Sequence, residues 1–244
     1  MFEAKIEAKN WKNVISVIGS IIEEAPLKLT PDGLTLRAMD PSHISLIDLE
    51  LPKDQFIEYS IDQERVVGID VDEMSRVMGR SKPTDIMIIR ADEDANKLFI
   101  TFVGESKRRF GLPIIDTPEQ SKLKMPNFPT SAIVGIDASV FKDGIKDASI
   151  VADHITLEAM EGAFVMRAEG DIGDIESNIE EDTLVEFKLQ EPCKSTFNLS
   201  YLADVSGSIT GPITLELGGD SPLLMNFEMG GATIKFVLAP RIER

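Results

Sequence analysis

Apolar side chains recur along the chain with the period of helices and the period of strands, and both patterns occur twice in the same order. In "NWKNVISVIGSII" (10–22) the apolar residues follow the i, i+3, i+4, i+7 spacing of an amphipathic helix, and in "ASVFKDGIKDAS" (138–149) Phe141, Ile145 and Ala148 lie on one stripe. A second helical segment follows in each half, "VDEMSRVMGRSK" (71–82) and "LSYLADVSGSI" (199–209). The pattern therefore predicts two short helices in each half of the chain.

Strand-like alternation is repeated in the same way. The hairpin pattern "LKLTPDGLTLRAMD" (27–40), which turns at Pro-Asp-Gly, corresponds to "ITLEAMEGAFVMRAEG" (155–170), and both contain Arg-Ala near their ends, at Arg37 and Arg167. The closing strands correspond at a nearly constant offset, which favours a duplication over chance alternation. In the two repeats, segment 85–102 is equivalent to 212–229, and segment 108–115 is equivalent to 234–242.

A segment without periodicity separates the two repeats. Residues 116–131, "DTPEQSKLKMPNFPTS", contain three prolines, which is typical of an extended linker. We therefore predict an N-terminal domain (1–115), this linker, and a C-terminal domain (132–244). Alternating strands joined by tight turns favour antiparallel sheet, and two helices can cover only one side of it. The expected fold class is α+β, with two duplicated domains of antiparallel sheet and two short helices each.

Composition adds limits to this picture. The chain has 244 residues, of which 43% are hydrophobic, enough for a globular core. The best apolar run, residues 14–22, is about half the length of a membrane-spanning helix, and the charged, alternating N-terminus is unlike a secretory signal. The single cysteine, Cys193, excludes an internal disulfide and fits a reducing cytosol. Two distant histidines and one cysteine give no zinc-ligand spacing, so we expect no metal and no other cofactor.

Net charge argues at first against a nucleic-acid partner. The chain carries 25 Lys/Arg and 42 Asp/Glu, a net charge of −17. The excess is uneven: residues 1–126 contain 17 basic and 22 acidic side chains, whereas residues 127–244 contain 8 and 20. The positions of the basic residues therefore matter more than their total.

One compact cluster contains the residue types of a hydrolase. Asp40, Ser42 and His43 follow the first hairpin, but catalysis also needs a nucleophile held beside its base in a cleft. The corresponding point of the second repeat, Gly170-Asp171-Ile172-Gly173, keeps turn residues and has no histidine. We therefore interpret the cluster as a connection between strands and predict no catalytic residues and no enzyme.

Three segments together resemble the DNA sliding-clamp family of the proliferating cell nuclear antigen type, and the archaeal members most. They are "RAMDPSHISLIDLELP" (37–52), the proline-bearing linker and the terminal "LAPRIE" (238–243), and the resemblance extends from Met1 to Arg244. It implies a non-catalytic ring of three two-domain subunits around duplex DNA. Twelve helices about 9 Å apart would form a ring about 35 Å across their axes, which leaves room for a duplex.

In such a ring, basic residues on the helices are similar to the family's channel-lining residues. Contacts with phosphates would be independent of sequence and sensitive to salt. The alternative is that helix faces are charged only because they are solvated. The fourth helical segment has Asp204 and no Lys or Arg, so we expect DNA contact to be weak and biased towards the other three. The predicted DNA-channel residues are Lys12, Arg76, Arg80, Lys82, Lys142 and Lys146.

The resemblance also implies a pocket for short client peptides of the pattern Gln-x-x-aliphatic-x-x-aromatic-aromatic. In "ISLIDLEL", Ile47, Leu49 and Leu51 alternate towards a core, which leaves Ile44 and Leu46 on the other face. Burial on both faces is the alternative to an exposed partner site. The predicted pocket residues are Met39, His43, Ile44, Leu46, Leu123, Met125, Pro126, Pro222, Ala239 and Pro240.

A closed ring needs head-to-tail contacts, which paired sheet edges can provide. The candidate edges are "SKRRFGL" (106–112), which is basic, and "GDIESNIEED" (173–182), which is acidic. Opposite charges on one chain favour a homotrimer over a heterotrimer of clamp-like subunits, but do not decide between them. The predicted interface residues are Arg80, Lys82, Arg108, Arg109, Asp143 and Asp147.

The implied partners are duplex DNA, DNA polymerase, a clamp loader of the replication factor C type, a flap nuclease, DNA ligase and further copies of the chain, with no membrane. The archaeal resemblance implies a cytoplasmic location, and a eukaryotic source would imply the nucleus.

A function of a different class is the alternative to a clamp: the chain could be an acidic α+β enzyme or a ligand-binding protein. The glycine pairs at 218–219 and 230–231 lack the Lys-Ser/Thr of a phosphate-binding loop, which weighs against that reading.

Overall fold

The two halves of the chain have the same order of elements. The computed structural model describes residues 1–92, 95–117, 123–126 and 128–241, and over these residues the chain forms 18 strands, 4 α-helices and two short 3-10 helices, Lys53–Gln55 and Glu181–Thr183. The first half consists of β1 (Phe2–Glu7), α1 (Ala8–Gly19), β2 (Glu24–Thr30), β3 (Gly33–Met39), β4 (Ser45–Pro52), β5 (Glu58–Ile61), β6 (Arg65–Asp70), α2 (Val71–Met78), β7 (Ile86–Asp92), β8 (Lys97–Val103) and β9 (Lys107–Pro113).

The second half repeats this order element for element, which confirms the predicted duplication and the α+β class. It consists of β10 (Ala132–Asp137), α3 (Ala138–Val151), β11 (His154–Met160), β12 (Ala163–Gly170), β13 (Gly173–Glu180), β14 (Glu186–Leu189), β15 (Cys193–Asn198), α4 (Leu199–Ser208), β16 (Pro212–Leu217), β17 (Leu223–Met229) and β18 (Ala232–Leu238).

The chain divides into two compact units whose segments are not contiguous in sequence. Unit 1 contains Met1–Pro41, Ile47–Lys124 and Glu228–Ile234. Unit 2 contains Ser42–Leu46, Met125–Phe227 and Lys235–Arg244. None of the helices within the described ranges is long and apolar enough to cross a membrane.

Unit 1 contains an antiparallel sheet in the order β5-β1-β7-β8-β9. On β1 the buried residues Phe2, Ala4 and Ile6 alternate with more exposed ones, because successive side chains of a strand point to opposite faces. They pair with β7 in a register that places Ala4 opposite Ile89. The helices α1 and α2 pack against each other, and α1 buries Trp11 completely. One face of this sheet thus forms the core of the unit.

Unit 2 follows the same plan. Its four-stranded antiparallel sheet has the order β13-β12-β11-β15, and a second antiparallel group pairs β10 with β14 and β16, and β16 with β17. The helices α3 and α4 pack together. The buried side chains Phe141, Phe164 and Phe197 come from α3, β12 and β15.

Each helix begins in a way that the sequence specifies only in part. Asp70, Asp137 and Asn198 accept hydrogen bonds from backbone N–H groups at the starts of α2, α3 and α4, whereas Glu7 makes no side-chain cap for α1. A neighbouring carbonyl supplies a further acceptor in each unit: the N–H of Ala8 donates to Asp85 O over 3.0 Å, and that of Ala138 donates to Gly211 O over 2.8 Å. The start of each unit's first helix is therefore fixed by equivalent tertiary contacts.

Candidate functional surfaces

The basic residues predicted for a DNA channel differ in how they are held. Lys12 on α1, Arg76 on α2 and Lys146 on α3 are exposed. Lys142 is half-buried, and its Nζ donates to Gly207 O in the last turn of α4 over 2.9 Å. A cation at this end of a helix interacts favourably with the carbonyl groups and the helix dipole. Lys142 therefore places a positive charge beside α4, the helix that has no basic residue of its own.

The second helix is shorter than predicted. It ends at Met78, so the prediction of one helical segment over 71–82 is wrong at its end, and Arg80 and Lys82 lie in the turn that follows. The turn continues with bonds from Arg80 N to Val77 O and from Ser81 N to Met78 O. Pro83 contributes to this end, because proline lacks a backbone N–H and disfavours helical backbone in the residue before it, here Lys82.

A buried carboxylate organises this turn, and sequence reasoning missed it. Asp85 is 2% exposed, and its Oδ2 accepts from the backbone N–H of Lys82 over 2.9 Å. It also accepts from Nη2 of Arg108, while Nη1 of Arg108 donates to Arg80 O over 2.6 Å. The signal that could have found it is the polar Asp at the start of a strongly apolar strand. The side chain of Lys82 pairs with Glu105.

Four of the six predicted interface residues, Lys82, Arg108, Arg109 and Asp143, already have side-chain partners within their own unit. Arg108 is paired with Asp85, and the guanidinium of Arg109 lies 3.7 Å from the centre of the Phe99 ring. On α3, Asp143 accepts from Lys146 over 3.2 Å, and both side chains are largely exposed. The structure thus brings together Asp143 and Lys146, for which the sequence predicted different roles. Asp147 is exposed.

Two strands lie at the ends of their sheets, as the sequence predicted for the edge candidates. β9 is the last strand of the unit 1 sheet and carries Lys107, Arg108 and Arg109. β13 is the last strand of the four-stranded sheet of unit 2 and carries Asp174, Glu176 and Glu180; Ile179 is buried at its far end. An edge strand presents backbone N–H and C=O groups that can pair with another chain.

Exposed apolar residues lie beside the acidic edge. The carbonyl of Val151, the last residue of α3, approaches Gly170 so closely that a Cβ at Gly170 would lie 1.9 Å from it. The end of α3 and the turn between β12 and β13 are therefore adjacent. Ile150 and Ile172, at this end of unit 2, are 70% and 76% exposed.

Part of the predicted peptide pocket is assembled within unit 2. The N–H of Ala239 donates to Ile44 O over 2.9 Å, so Ala239 lies directly beside the segment before β4. Ile44 is 38% exposed, whereas Leu46 is only 4% exposed. The strand thus buries both faces at this point, and Ile44 rather than Leu46 offers apolar surface.

The other predicted pocket residues are accessible to different degrees. His43 is exposed and has a φ of 59°, a left-handed conformation uncommon for a residue other than glycine. In unit 2 Pro126 is exposed, while Met125, Pro222, Ala239 and Pro240 are half-buried. In unit 1 Met39 and Leu123 are half-buried, and Nη1 of Arg37 donates to Leu123 O over 3.2 Å. Leu123 is therefore held by its backbone.

Known proteins resemble this chain along its whole length. Residues 1–116 match the family model of the N-terminal domain of proliferating cell nuclear antigen, and residues 124–242 match that of the C-terminal domain. The chain belongs to the proliferating cell nuclear antigen family. A relative from Methanococcus vannielii, named DNA polymerase sliding clamp, is 37% identical over 100% of both chains. Another of that name, from Thermococcus fumicolans, is 38% identical over 97% of this chain and 96% of its own.

Solved structures of the family agree with the fold. The proliferating cell nuclear antigen of Thermococcus kodakaraensis is 26% identical, covers 99% of this chain and 100% of its own, and superposes with a TM-score of 0.93. That of A. fulgidus, solved with the C-terminal region of FEN-1 bound, covers 100% of both chains at 26% identity with a TM-score of 0.88. The predicted family and fold are confirmed.

The remaining observations concern a cavity, the Asp40 cluster and possible metal ligands. A shallow cavity of about 400 Å³ is lined by Glu181, at the acidic edge candidate, and by five residues outside every predicted site: Glu161, Gly162, Phe187, Leu189 and Pro192. Asp40 is 4% exposed, whereas His43 is exposed. Within the described ranges no group of three or more His, Cys, Asp or Glu residues could hold a metal ion.

Proposed function

We propose that the chain is a DNA polymerase sliding clamp that assembles as a homotrimeric ring, encircles duplex DNA and tethers replication and repair enzymes without catalysing a reaction itself. The observation that carries this proposal is the end-to-end correspondence of both duplicated domains with relatives named DNA polymerase sliding clamp. The proposed division remains residues 1–115, the linker 116–131 and residues 132–244. The proposed location is the cytoplasm, as the archaeal relatives suggest, or the nucleus for a eukaryotic source.

The charges of the two sheet edges support self-assembly. β9 is basic and β13 is acidic, so an edge of one subunit complements an edge of the next without a second kind of chain. Ile150 and Ile172 add exposed apolar surface beside β13. Exposed ion pairs contribute about 0–1 kcal/mol each, so strand pairing and apolar packing would provide most of the association. The proposed polar interface residues remain Arg80, Lys82, Arg108, Arg109, Asp143 and Asp147.

The basic side chains of three helices and of the turn after α2 support sequence-independent contact with DNA inside the ring. The proposed contacts are Lys12, Arg76, Arg80, Lys82, Lys142 and Lys146. The bond from Lys142 to Gly207 O extends this positive charge towards α4. Contacts with phosphates would be weakened by salt, which suits a protein that must slide.

Client enzymes would bind through short peptides in the predicted pocket. The A. fulgidus relative binds the C-terminal region of FEN-1, which supports a flap nuclease as one client. DNA polymerase, DNA ligase and a clamp loader of the replication factor C type are the other proposed partners. The proposed pocket keeps its residues Met39, His43, Ile44, Leu46, Leu123, Met125, Pro126, Pro222, Ala239 and Pro240.

Sedimentation equilibrium of the full chain over a concentration series at low and high salt tests the assembly. We expect a mass three times that of the chain, and a lower mass when Asp143 and Asp147 are both changed to Lys. A persistent monomer would contradict the homotrimer and favour a ring that needs other clamp-like subunits. An undiminished trimer in the double variant would remove Asp143 and Asp147 from the interface.

Loading on primed circular DNA tests the function. With the cognate loader and polymerase, we expect the chain to lengthen the products made in one binding event. Products of unchanged length from a protein that has the trimer mass would contradict the clamp function.

A further inference from the structure

Arg37 on β3 makes three directed contacts with its guanidinium. Nε donates to Asp48 Oδ1 over 2.8 Å, and Nη2 donates to Asp48 Oδ2 over 2.9 Å. The remaining nitrogen, Nη1, donates to the backbone carbonyl of Leu123 over 3.2 Å, although 86 residues separate the two in sequence. One side chain of unit 1 thus joins a strand pair to the linker.

The contact with Asp48 fixes the direction of the third bond. A carboxylate that accepts two parallel bonds holds the guanidinium in one plane, which a lysine cannot reproduce. Asp48 is itself well packed, with a side chain only 13% exposed. Its hydrogen bond raises the pKa of Arg37, although partial burial opposes this effect. Nη1 is therefore held in place when it meets the linker.

The linker is otherwise irregular at this point. Residues 123–126 have no helix or strand. Before the linker begins, the N–H of Ile115 donates to Gly68 O over 3.0 Å. A peptide that binds to an irregular segment must order it, which lowers affinity unless the segment is already fixed. A bond to the Leu123 carbonyl restricts the segment that carries the predicted pocket residues Leu123 and Met125.

We propose that Arg37 is a positioning residue for client binding, which fixes the linker through the Leu123 carbonyl before a client peptide arrives. The proposal rests on the proposed clamp function. Arg37 does not touch the client: it determines how much order the client must impose. Loss of its side chain should therefore weaken client binding and loosen the linker, while the fold and the assembly are retained.

The duplication provides a matched control. Arg167 occupies the corresponding position on β12, and its side chain is 38% exposed, as is that of Arg37. Its partners are also carboxylates, since Nη1 pairs with Glu158 and Nε donates to Glu176 over 2.7 Å. These partners lie on strands of unit 2 rather than in the linker. Arg167→Met removes the same charge and a similar ion pair without removing a linker contact.

The binding test uses a fluorescein-labelled synthetic peptide of the Gln-x-x-aliphatic-x-x-aromatic-aromatic pattern with the full chain, followed by fluorescence anisotropy. We expect Arg37→Met to raise Kd about tenfold, Arg37→Lys to raise it less, and Arg167→Met to leave it within about twofold of the parent. Equal weakening by Arg37→Met and Arg167→Met, or no weakening by either, would overturn the proposal.

A second readout distinguishes positioning from general stability. Trypsin cleavage after the exposed Lys124, followed by mass spectrometry, should be faster in Arg37→Met and in Arg37→Lys than in Arg167→Met. Cleavage after Lys188 in unit 2 should not change, and equal acceleration at both sites would indicate general loosening and overturn the proposal. If the parent protein does not bind the peptide, the proposed client pocket fails, and the cleavage rates still decide whether Arg37 holds the linker.

Discussion

Arg108 on the edge strand β9 pairs with Asp85 in such a way that only the arginine reaches solvent: their side chains are 29% and 1% exposed. The same carboxylate accepts the backbone N–H of Lys82. A Cβ at Gly104 would lie 2.2 Å from Asp85 Oδ1, so glycine is needed beside it. The conformation of the turn after α2 and the direction of the basic edge therefore depend on one buried carboxylate.

Replacing Asp85 should reduce stability much more than replacing an exposed carboxylate nearby. We expect Asp85→Ala to lower the free energy of unfolding by about 2–4 kcal/mol, because it leaves the Lys82 N–H and Arg108 without their acceptor. Urea unfolding followed by the fluorescence of Trp11, the only tryptophan and fully buried, measures the change. Glu105→Ala, which removes an exposed partner of Lys82, should cost at most about 1 kcal/mol. Equal losses in the two variants would contradict this role of Asp85.

Tyr59 should make unit 1 sensitive to alkaline pH. Its hydroxyl lies 2.8 Å from both Thr30 O and Gly33 O, and burial raises its pKa to about 12 from an ordinary value of 10.0, although the bond to Thr30 opposes the shift. Above pH 10 the unfolded chain loses this proton while the folded chain keeps it. The stability that Tyr59 contributes is therefore present below pH 10 and is lost as the pH rises towards 12.

The comparison of Tyr59→Phe with the parent protein checks this dependence. The parent should be more stable below pH 10, and the difference in urea midpoint should shrink between pH 10 and 12. Tyr201→Phe, which removes the other tyrosine of the chain, controls for the loss of one ionisable phenol. A difference that stays constant across this range would show that Tyr59 ionises alike in the folded and unfolded states.

Two glycines of unit 2 should respond to alanine in opposite directions. A Cβ at Gly207, in the last turn of α4, meets no atom within 4 Å, whereas one at Gly170 would lie 1.9 Å from the carbonyl of Val151. We expect Gly207→Ala to stabilise by about 0.5–1 kcal/mol through helix propensity. Gly170→Ala should destabilise and separate the β12–β13 turn from α3. Thermal unfolding followed by circular dichroism decides the signs, and a stabilised Gly170→Ala would contradict the close packing.

The repeated pattern was sufficient to predict the duplication because each helix and hairpin is amphipathic in both copies. The short strands β5 and β14 were not predicted, since four residues of half-exposed strand give little periodicity. The end of α2 was misplaced because Arg76 and Arg80 fit helical spacing, although the helix ends at Met78. Asp85 was missed because its role depends on Arg108, a partner 23 residues away that only the folded chain brings near.

The apolar residues beside β13 should contribute to assembly. An exposed Ile150 on α3 gains by burial against another subunit, and Ile150→Asp would place a charge in that contact. We expect Ile150→Asp to shift the monomer–trimer equilibrium towards monomer in sedimentation equilibrium. Ile57→Asp changes an isoleucine of unit 1 that is 56% exposed and lies outside the proposed edges, and it should not alter the mass. Equal dissociation of both variants would indicate a non-specific effect of the added charge.

Lys142 should contribute to DNA binding even though the helix it borders is not basic. Its Nζ is held at Gly207 O, where it can reach a phosphate without leaving α4. The test is the binding of the assembled protein to a fluorescently labelled DNA duplex, followed by fluorescence anisotropy at several salt concentrations. Each phosphate contact that is removed should reduce the slope of log K against log salt by about 0.9. Lys142→Ala should therefore lower both the affinity and the slope, whereas Lys188→Ala, on the short strand β14, should change neither. An unchanged slope in Lys142→Ala would place this lysine outside the DNA contact and leave α4 without a cation at its side of the channel.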